Sequence, residues 1–184
     1  MKQYKTIYAD PPWLERGGGK IRRGADRHYS LMKTKDIIDL YQYIEPLINP
    51  DGCHLYLWVT NNFLPDGLEV MRSWGFQYKT CITWAKQRIG LGQYFRGRTE
   101  QLLFGVRRGL PYKTIDGKRQ QGVTLITADR KKHSQKPNEA REMIEKVSYP
   151  PYLELFARDQ IEGWDVWGDE IESSITLNKE ISNK

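Results

Sequence analysis

The sequence YKTIYADPPW at residues 4–13 decides the fold. Its apolar and aromatic run predicts a buried strand over Lys5–Ala9, and the motif DPPW follows that strand directly. A carboxylate therefore stands at the carboxyl end of a strand, which in open α/β sheets is the edge where ligands bind. The stretch predicts an α/β fold with a ligand site close to the front of the chain.

The residue types of the DPPW motif suit an exocyclic amine on a planar base. Such an amine is a weak nucleophile because its lone pair is delocalised into the ring, and it improves when both N–H groups donate to fixed acceptors. Asp10 can be one acceptor and the carbonyl of Pro11 the other, while Pro12 stiffens a turn that lacks N–H donors. Trp13 offers a face for base stacking, worth about 1–3 kcal/mol. The purely structural alternative is a Pro-stiffened turn with a buried Trp.

The remaining pattern alternates helices with short apolar strands, which is typical of an α/β domain. Helices are predicted from Thr34, which can cap the first of them, over Phe63–Trp74, and from Pro137. Strands are predicted over Cys53–Thr60, Gln77–Trp84, Glu100–Arg107, Val123–Ala128 and Tyr152–Ala157. We expect a largely parallel sheet with some antiparallel edge, built from one domain over residues 1–170 and followed by a polar tail over residues 171–184.

Charge is distributed unevenly along the 184 residues, whose net charge is +6. Residues 14–35 hold seven Lys and Arg against two acids, and residues 86–119 hold nine against two. Residues 159–184 invert this balance, with seven acids against two Lys. Concentrated basic surface of this kind favours a polyanionic partner such as nucleic acid.

The cysteines and the chain start indicate a reducing compartment. Cys53 and Cys81 have no ligand spacing, and we interpret them as small buried residues. No apolar signal region and no long apolar span is visible, so we expect a cytoplasmic protein with no membrane partner. The three histidines, His28, His54 and His133, lack zinc-like spacing, and no metal is expected.

Two later stretches complete the motif set: HSQKP at residues 133–137 and ELFAR at residues 154–158. Together with DPPW, HLYLWVT at residues 54–60 and GLGQYFRGRTEQLLFGV at residues 90–106, they resemble the N6-adenine methyltransferase family that includes the catalytic subunit of the eukaryotic mRNA adenosine methyltransferase. The resemblance covers about residues 4–170. Each motif is weak alone, and their order along the chain makes the set specific.

The resemblance implies a Rossmann-like class I fold that uses S-adenosyl-L-methionine. It also implies a circular permutation, with the catalytic strand first and the cofactor strand last. By resemblance, Asp10, Pro11, Pro12 and Trp13 bind the target adenine, and Asp10 also borders the cofactor. The other residues predicted to bind the cofactor are Ser134, Lys136, Phe156, Arg158, Asp169 and Glu170. Lys136 is the one expected to meet the cofactor carboxylate, and Asp169-Glu170 stand where mRNA-methylating members carry an Asn-Gln pair.

Tyr29, Tyr94 and Arg96 lie in loops that can cover the base, and we predict that they bind substrate. We also expect Glu100 to brace Lys136. The predicted function is transfer of a methyl group to N6 of adenine, with DNA favoured over RNA because the long extensions of the mRNA enzymes are absent. An RNA adenosine methyltransferase and an inactive nucleic-acid-binding subunit remain as alternatives. A homodimer or a partner subunit can supply recognition that so small a domain lacks.

Overall fold

A seven-stranded mixed sheet organises the protein in the computed structural model, which describes residues 2–14, 31–90, 92, 94–129 and 135–177. The strands are β1 (Thr6–Ala9), β2 (Cys53–Val59), β3 (Gln77–Ala85), β4 (Thr99–Arg107), β5 (Thr114–Ile115), β6 (Lys118–Arg119), β7 (Leu125–Thr127), β8 (Tyr152–Leu155) and β9 (Trp164–Trp167). The helices are α1 (Thr34–Asp39), α2 (Tyr41–Ile44), α3 (Leu64–Ser73) and α4 (Asn138–Val147), with 3-10 turns at Glu45–Leu47 and Asn61–Phe63. The predicted α/β class is confirmed.

The strand order of the large sheet is β7-β3-β4-β2-β1-β8-β9, and β5 and β6 form a separate hairpin. Within the described sheet, β4 runs antiparallel to both of its neighbours, and all the other pairs are parallel. The prediction of an antiparallel edge is wrong, because β4 lies inside the sheet between β3 and β2. β3 and β4 form a hairpin, and β4 is the strand of that hairpin that pairs with β2 in the interior of the sheet. The short strand β7 pairs in parallel with the other side of β3 and forms the edge.

Strand order reverses between β1 and β8, which makes their shared carboxyl end a topological switch point. From β1 the chain continues to β2 on one side, and from β8 it continues to β9 on the other side. The register pairs Ala9 with Leu155, so the residues after both strands begin at the same height. Ligands of open α/β sheets bind in the crevice at this position.

Apolar layers cover both faces of the sheet. Every residue of β2 is buried, as expected for a central strand covered on both sides. One layer contains Ile37, Ile44 and Val70 from the helices α1, α2 and α3, and the other contains Ala140 and Ile144 of α4. Close approach of α3 depends on Gly67, where an added Cβ would lie 2.3 Å from Cγ1 of Val59.

Several of the described elements differ from the predicted ones, including the β5–β6 hairpin and the end of β8 at Leu155. β9 was not predicted, because its four residues WDVW are short and carry an acid. Thr34 does not cap α1: the N-cap is Lys33, and the Thr34 hydroxyl donates to Asp66 at 2.6 Å. Residues 173–177, inside the predicted polar tail, pack on the domain, since the Ser174 N–H donates to the Val166 carbonyl and Leu177 is buried. No helix among the described residues has the length and apolar character to cross a membrane.

A buried polar network joins β2 to the end of α4. Nε2 of His54 lies 2.9 Å from the carbonyl oxygen of Leu110, so that nitrogen carries the proton and Nδ1 is an acceptor. The Ser148 hydroxyl, 2.7 Å away, therefore donates to Nδ1 and accepts from the hydroxyl of Tyr56 at 2.8 Å. With the directions assigned in this way, the imidazole is neutral. Burial lowers the pKa of His54, more than the bond to the Leu110 carbonyl raises it.

We expect His54 to make folding stability sensitive to mild acid. Its folded pKa lies below its unfolded value of about 6.5, so its contribution is complete above that pH and is lost as the pH falls towards the folded pKa. Urea unfolding at pH 7.5 and 5.5 measures the loss. His54→Gln should lose less stability over this interval than the wild type, and equal losses would contradict the expectation. Because the comparison is between two otherwise identical chains, titration of the other histidines cancels.

Candidate active site

The DPPW motif forms a stiff turn at the switch point. Asp10 follows β1 and its N–H donates to the Leu155 carbonyl at 3.4 Å, which ties the turn to the end of β8. The carbonyl of Pro11 accepts the Trp13 N–H at 2.9 Å, and the carbonyl of Pro12 accepts the Met32 N–H at 2.8 Å. A carbonyl oxygen has two lone pairs, so Pro11 keeps one for a further donor.

Trp13 lies in the core of the protein. It is 7 % exposed, its indole N–H donates to the Trp58 carbonyl at 3.0 Å, and its ring stacks on Phe63 at 5.5 Å between centroids. These contacts fix the turn to the end of β2. They agree with the structural alternative for Trp13, and its stacking on a base stays a prediction.

Beside the turn lies a chain of four side chains of alternating charge, in the order Asp10, Lys136, Glu100 and Lys86. Nζ of Lys136 lies 2.8 Å from the carboxylate of Asp10 and 3.4 Å from that of Glu100. Glu100 also pairs with Lys86 at 2.5 Å. The side chains of Lys136, Asp10 and Glu100 are 14%, 17% and 17% exposed, so water screens these pairs only partly. The predicted contact between Glu100 and Lys136 is confirmed.

The neighbouring opposite charges favour the ionised forms of Lys136 and Glu100. Burial acts to lower the pKa of Lys136, but the negative charges of Asp10 and Glu100 outweigh it and raise that pKa above its ordinary value. Burial acts to raise the pKa of Glu100, but the charges of Lys136 and Lys86 outweigh it and hold that pKa below its ordinary value. Lys136 therefore remains an ammonium beside Asp10 at neutral pH.

An open cleft lies between the ends of β1 and β8. Its floor contains a buried bidentate ion pair, in which Nε and Nη2 of Arg141 donate to the Glu154 carboxylate at 2.8 and 2.7 Å. Burial raises the pKa of Glu154 despite the opposing effect of Arg141. The residues that line the cleft are Tyr8, Asp10, Gln135, Lys136, Arg141, Glu154, Phe156, Arg158 and Asp159.

Phe156 turns the chain sharply at the end of β8. Its φ of 62° is in the left-handed region, which side chains other than that of glycine seldom adopt. Its ring packs edge-on against Trp167, with centroids 5.4 Å apart. Strained backbone of this kind clusters at functional sites, where the surrounding structure holds it. The turn directs the chain into the cleft and brings Arg158 to its lining.

The other predicted residues lie outside this lining. Asp169 and Glu170 are exposed in the turn after β9, at the same edge of the sheet. Tyr94 is 94% exposed in the loop between β3 and β4. Arg96 is exposed in the same loop, and its Nε donates to the Gly90 carbonyl at 2.6 Å. Tyr29 and Ser134 fall outside the described residues.

Sequence reasoning did not identify the Arg141–Glu154 pair or the role of Lys86. A signal for the pair was available, because Glu154 is an acid inside the apolar strand YLEL and a buried acid needs a partner. The partner itself was not predictable, since Arg141 is one of several charged residues on α4. The cleft carries both signs of charge, with Lys136 and Arg158 beside Asp10 and Asp159. Such a lining suits a ligand that itself carries both an ammonium and a carboxylate.

The sequence matches the MT-A70 family over residues 4–170. It is 33% identical over 192 residues to "Type II methyltransferase M.MunI" of Mycoplasma sp, with 92% of this chain and 78% of that protein covered. It is 30% identical over 184 residues to "N6-methyladenosine RNA methyltransferase MTA1" of Cryphonectria parasitica, covering 91% of this chain and 52% of that one. Human "N(6)-adenosine-methyltransferase catalytic subunit METTL3" is 27% identical over 193 residues, with 98% and 30% covered. The chain thus spans about half or less of these two RNA enzymes.

Proposed function

The chain belongs to the MT-A70 family, and we propose that it transfers the methyl group of S-adenosyl-L-methionine to N6 of adenine in nucleic acid, with DNA favoured over RNA. The observation that carries the proposal is the carboxylate of Asp10, held by Lys136 at the switch point of the sheet. Enzymes of this family generally use S-adenosyl-L-methionine, which supplies an electrophilic methyl group on a sulfonium.

A permuted class I topology accounts for the order of the elements. Asp10 follows the first strand of the chain, while the predicted cofactor residues follow β8 and β9 near its end. The switch point between β1 and β8 brings these two ends of the sequence together. We assign residues 1–170 to the methyltransferase domain, with residues 173–177 packed on it.

The β8 side of the cleft is the proposed cofactor side. Lys136 is the predicted partner of the cofactor carboxylate, and Phe156 and Arg158 line the same cleft. The turn after β9 carries Asp169 and Glu170, whose carboxylates can accept hydrogen bonds from ribose hydroxyls, as acids do in dinucleotide-binding folds. Ser134 belongs to the same proposed set.

The turn at the end of β1 is the proposed adenine side. Asp10 and the free lone pair of the Pro11 carbonyl would accept the two N–H groups of N6, which frees the nitrogen lone pair for attack on the methyl group. The new C–N bond would form as the methyl–sulfur bond breaks, and the sulfur would leave as a neutral thioether. Catalysis is then chiefly positioning, since a correctly oriented pair of reactants needs little further assistance. Asp10 acts here as a hydrogen-bond acceptor and need not be a strong base, because N6 becomes acidic only once it is methylated and its excess proton then leaves to solvent. The target base must be unstacked, because N6 chemistry is inaccessible inside a duplex.

Similarity to a type II methyltransferase supports DNA as the substrate. The chain is 33% identical to that protein, against 30% and 27% to the two RNA enzymes. RNA is the second candidate. The names of those two relatives describe methylation of adenosine, one of them explicitly in RNA, and basic loops can bind either RNA or DNA. The intact Asp10–Lys136 pair argues against an inactive binding subunit, for which the pair has no chemical use.

Methyl transfer from labelled S-adenosyl-L-methionine to matched single-stranded and duplex DNA and RNA oligonucleotides tests the proposal. We expect N6-methyladenine in DNA at a higher kcat/KM than in RNA. Faster methylation of RNA would move the assignment to the second candidate. Absence of transfer to all four substrates, with no binding of the cofactor by calorimetry, would establish an inactive subunit.

The loop between β3 and β4 is the proposed nucleic-acid contact. Tyr94 and Phe95 are 94% and 91% exposed, and Arg96 lies beside them. Replacing both Tyr94 and Arg96 by Ala should weaken oligonucleotide binding about tenfold or more, because a stacked base contributes about 1–3 kcal/mol. The slope of log Kd against log salt should also fall, since one phosphate contact is lost.

Tyr112→Ala is the matched control, since this tyrosine packs against Arg119 near the opposite end of β4. Fluorescence anisotropy with labelled DNA measures binding, and calorimetry with the cofactor should give the same Kd for all three proteins. Equal weakening by Tyr112→Ala would contradict a specific role for the loop.

A further inference from the structure

Thr60 is the residue that directly follows β2, and its hydroxyl is buried without a hydrogen bond. Among the residues that the structure describes, Oγ1 of Thr60 is the one buried side-chain polar atom left without a partner. The residue stands at the N-cap of the 3-10 turn Asn61–Phe63, yet makes no side-chain capping bond. A buried polar atom without a partner is costly, and in native proteins it calls for a ligand, a water or another function.

Strand register places Thr60 beside the charged chain of the active site. Side chains alternate between the faces of a strand, so Thr60 shares the face of Trp58, whose ring lies 5.4 Å from Nζ of Lys136. Val59 pairs with Gln101 of β4, and the next step of that antiparallel register sets Thr60 opposite Glu100. On β1, Tyr8 pairs with Tyr56, so Asp10 also belongs to this face. The unpaired hydroxyl therefore lies at the edge where Asp10, Lys136 and Glu100 meet.

The position of β2 indicates which ligand Thr60 meets. β2 and β8 flank β1 on opposite sides, and the proposed cofactor residues follow β8 and β9. Thr60 is therefore on the adenine side of Asp10. Of its neighbours there, Glu100 accepts only. The ammonium of Lys136 donates to Asp10 and Glu100, and its third N–H is the one assigned to the cofactor carboxylate.

We propose that the Thr60 hydroxyl donates a hydrogen bond to ring N1 of the target adenine. Enzymes read an unstacked base by hydrogen bonds to its Watson–Crick edge. On that edge of adenine, the N6 amine assigned to Asp10 and Pro11 adjoins N1, which is an acceptor. A donor one position from the N6 site pairs with this acceptor and fixes the base in the plane that N6 needs. The hydroxyl can also accept, so guanine is excluded at the N6 site, where its O6 would face the two acceptors Asp10 and Pro11. The inference rests on the proposed function and adds a residue that positions the target base.

A substitution combined with a modified base tests the proposal. Thr60→Val keeps the shape of the side chain and removes the hydroxyl, and kcat/KM on an adenine oligonucleotide should fall about 3- to 10-fold. On the same oligonucleotide with 1-deazaadenine at the target, wild type and Thr60→Val should have equal kcat/KM, because N1 is already missing. The thermal midpoint of Thr60→Val should equal or exceed that of the wild type, since a buried unpaired group has gone. Thr60→Ser retains the hydroxyl and should recover most of the activity.

Two results would overturn the proposal while the proposed function stands. One is wild-type kcat/KM for Thr60→Val on adenine. The other is an equal fold-loss on adenine and on 1-deazaadenine, which would make the effect of Thr60 structural. If the wild type transfers no methyl group to any adenine oligonucleotide, the proposed function and this inference both fail, so the wild-type control separates the two.

Discussion

Replacing Asp10 by Asn is expected to lower kcat for adenine methylation by roughly 10²–10³-fold, the cost of losing one preorganised electrostatic contact at a reacting centre. The amide oxygen can face Lys136 or the N6 amine, but not both, and it lacks the negative charge that stabilises positive charge developing on N6. Lys136 would keep its contact with Glu100 at 3.4 Å, so the variant should fold. Single-turnover methyl transfer gives the rate, and circular dichroism gives the fold.

Asp51→Asn is the matched control, because this acid is exposed in the turn before β2. It should retain wild-type kcat and KM. A folded Asp10→Asn enzyme with kcat within threefold of the wild type would show that N6 is oriented by other groups, and the assignment of Asp10 would be wrong.

Replacing Glu154 by Gln is expected to give the largest loss of stability, about 3–5 kcal/mol in the free energy of unfolding, because it leaves a buried guanidinium without its counter-charge. The side chains of Glu154 and Arg141 are 7% and 13% exposed, and they meet through two parallel hydrogen bonds. Among the described residues, Glu154 is the one carboxylate in ion-pair contact with Arg141. Urea unfolding at pH 7.5 measures the change.

The double variant Arg141→Met with Glu154→Leu distinguishes the cost of an unpaired charge from the cost of lost packing. Replacing both partners by apolar residues of similar size should recover most of the stability, as it often does for buried ion pairs. If the double variant is as unstable as Glu154→Gln, the loss comes from packing in the floor of the cleft. Because that floor adjoins the proposed cofactor side, cofactor affinity should fall in both variants.

Local patterns predicted the strands and helices well where they are long and apolar. The run CHLYLWV is β2, and the stripe of Ala140 and Ile144 is the buried face of α4. Pairing partners were less predictable, since nothing in the sequence of β4 says that it lies between β3 and β2. β9 was not predicted, because a four-residue strand that contains an acid has little periodicity. Its extended conformation depends on pairing with β8.

The residues of the site were predictable from the sequence, but their arrangement in space was less so. The DPPW motif and Lys136 were singled out, and the structure brings Asp10 and Lys136 to 2.8 Å although 126 positions separate them. The orientation of Trp13 could not be predicted, because packing against Phe63 and the Trp58 carbonyl decides it. The floor of the cleft was missed, since a pair such as Arg141 with Glu154 depends on how α4 lies across the sheet.

The pairing of β1 with β8 has a consequence for synthesis on the ribosome. Thr6 pairs with Tyr152, so one side of β1 remains an unsatisfied strand edge until nearly all of the domain has been translated. Contacts of such sequence separation form late, because the loop entropy must be overcome before they stabilise anything. A nascent chain interrupted before β8 would expose the hydrogen-bonding groups of TIYA, which is a template for aggregation. Pulse-chase proteolysis of stalled chains should therefore show β1 becoming protected only after β8 has emerged.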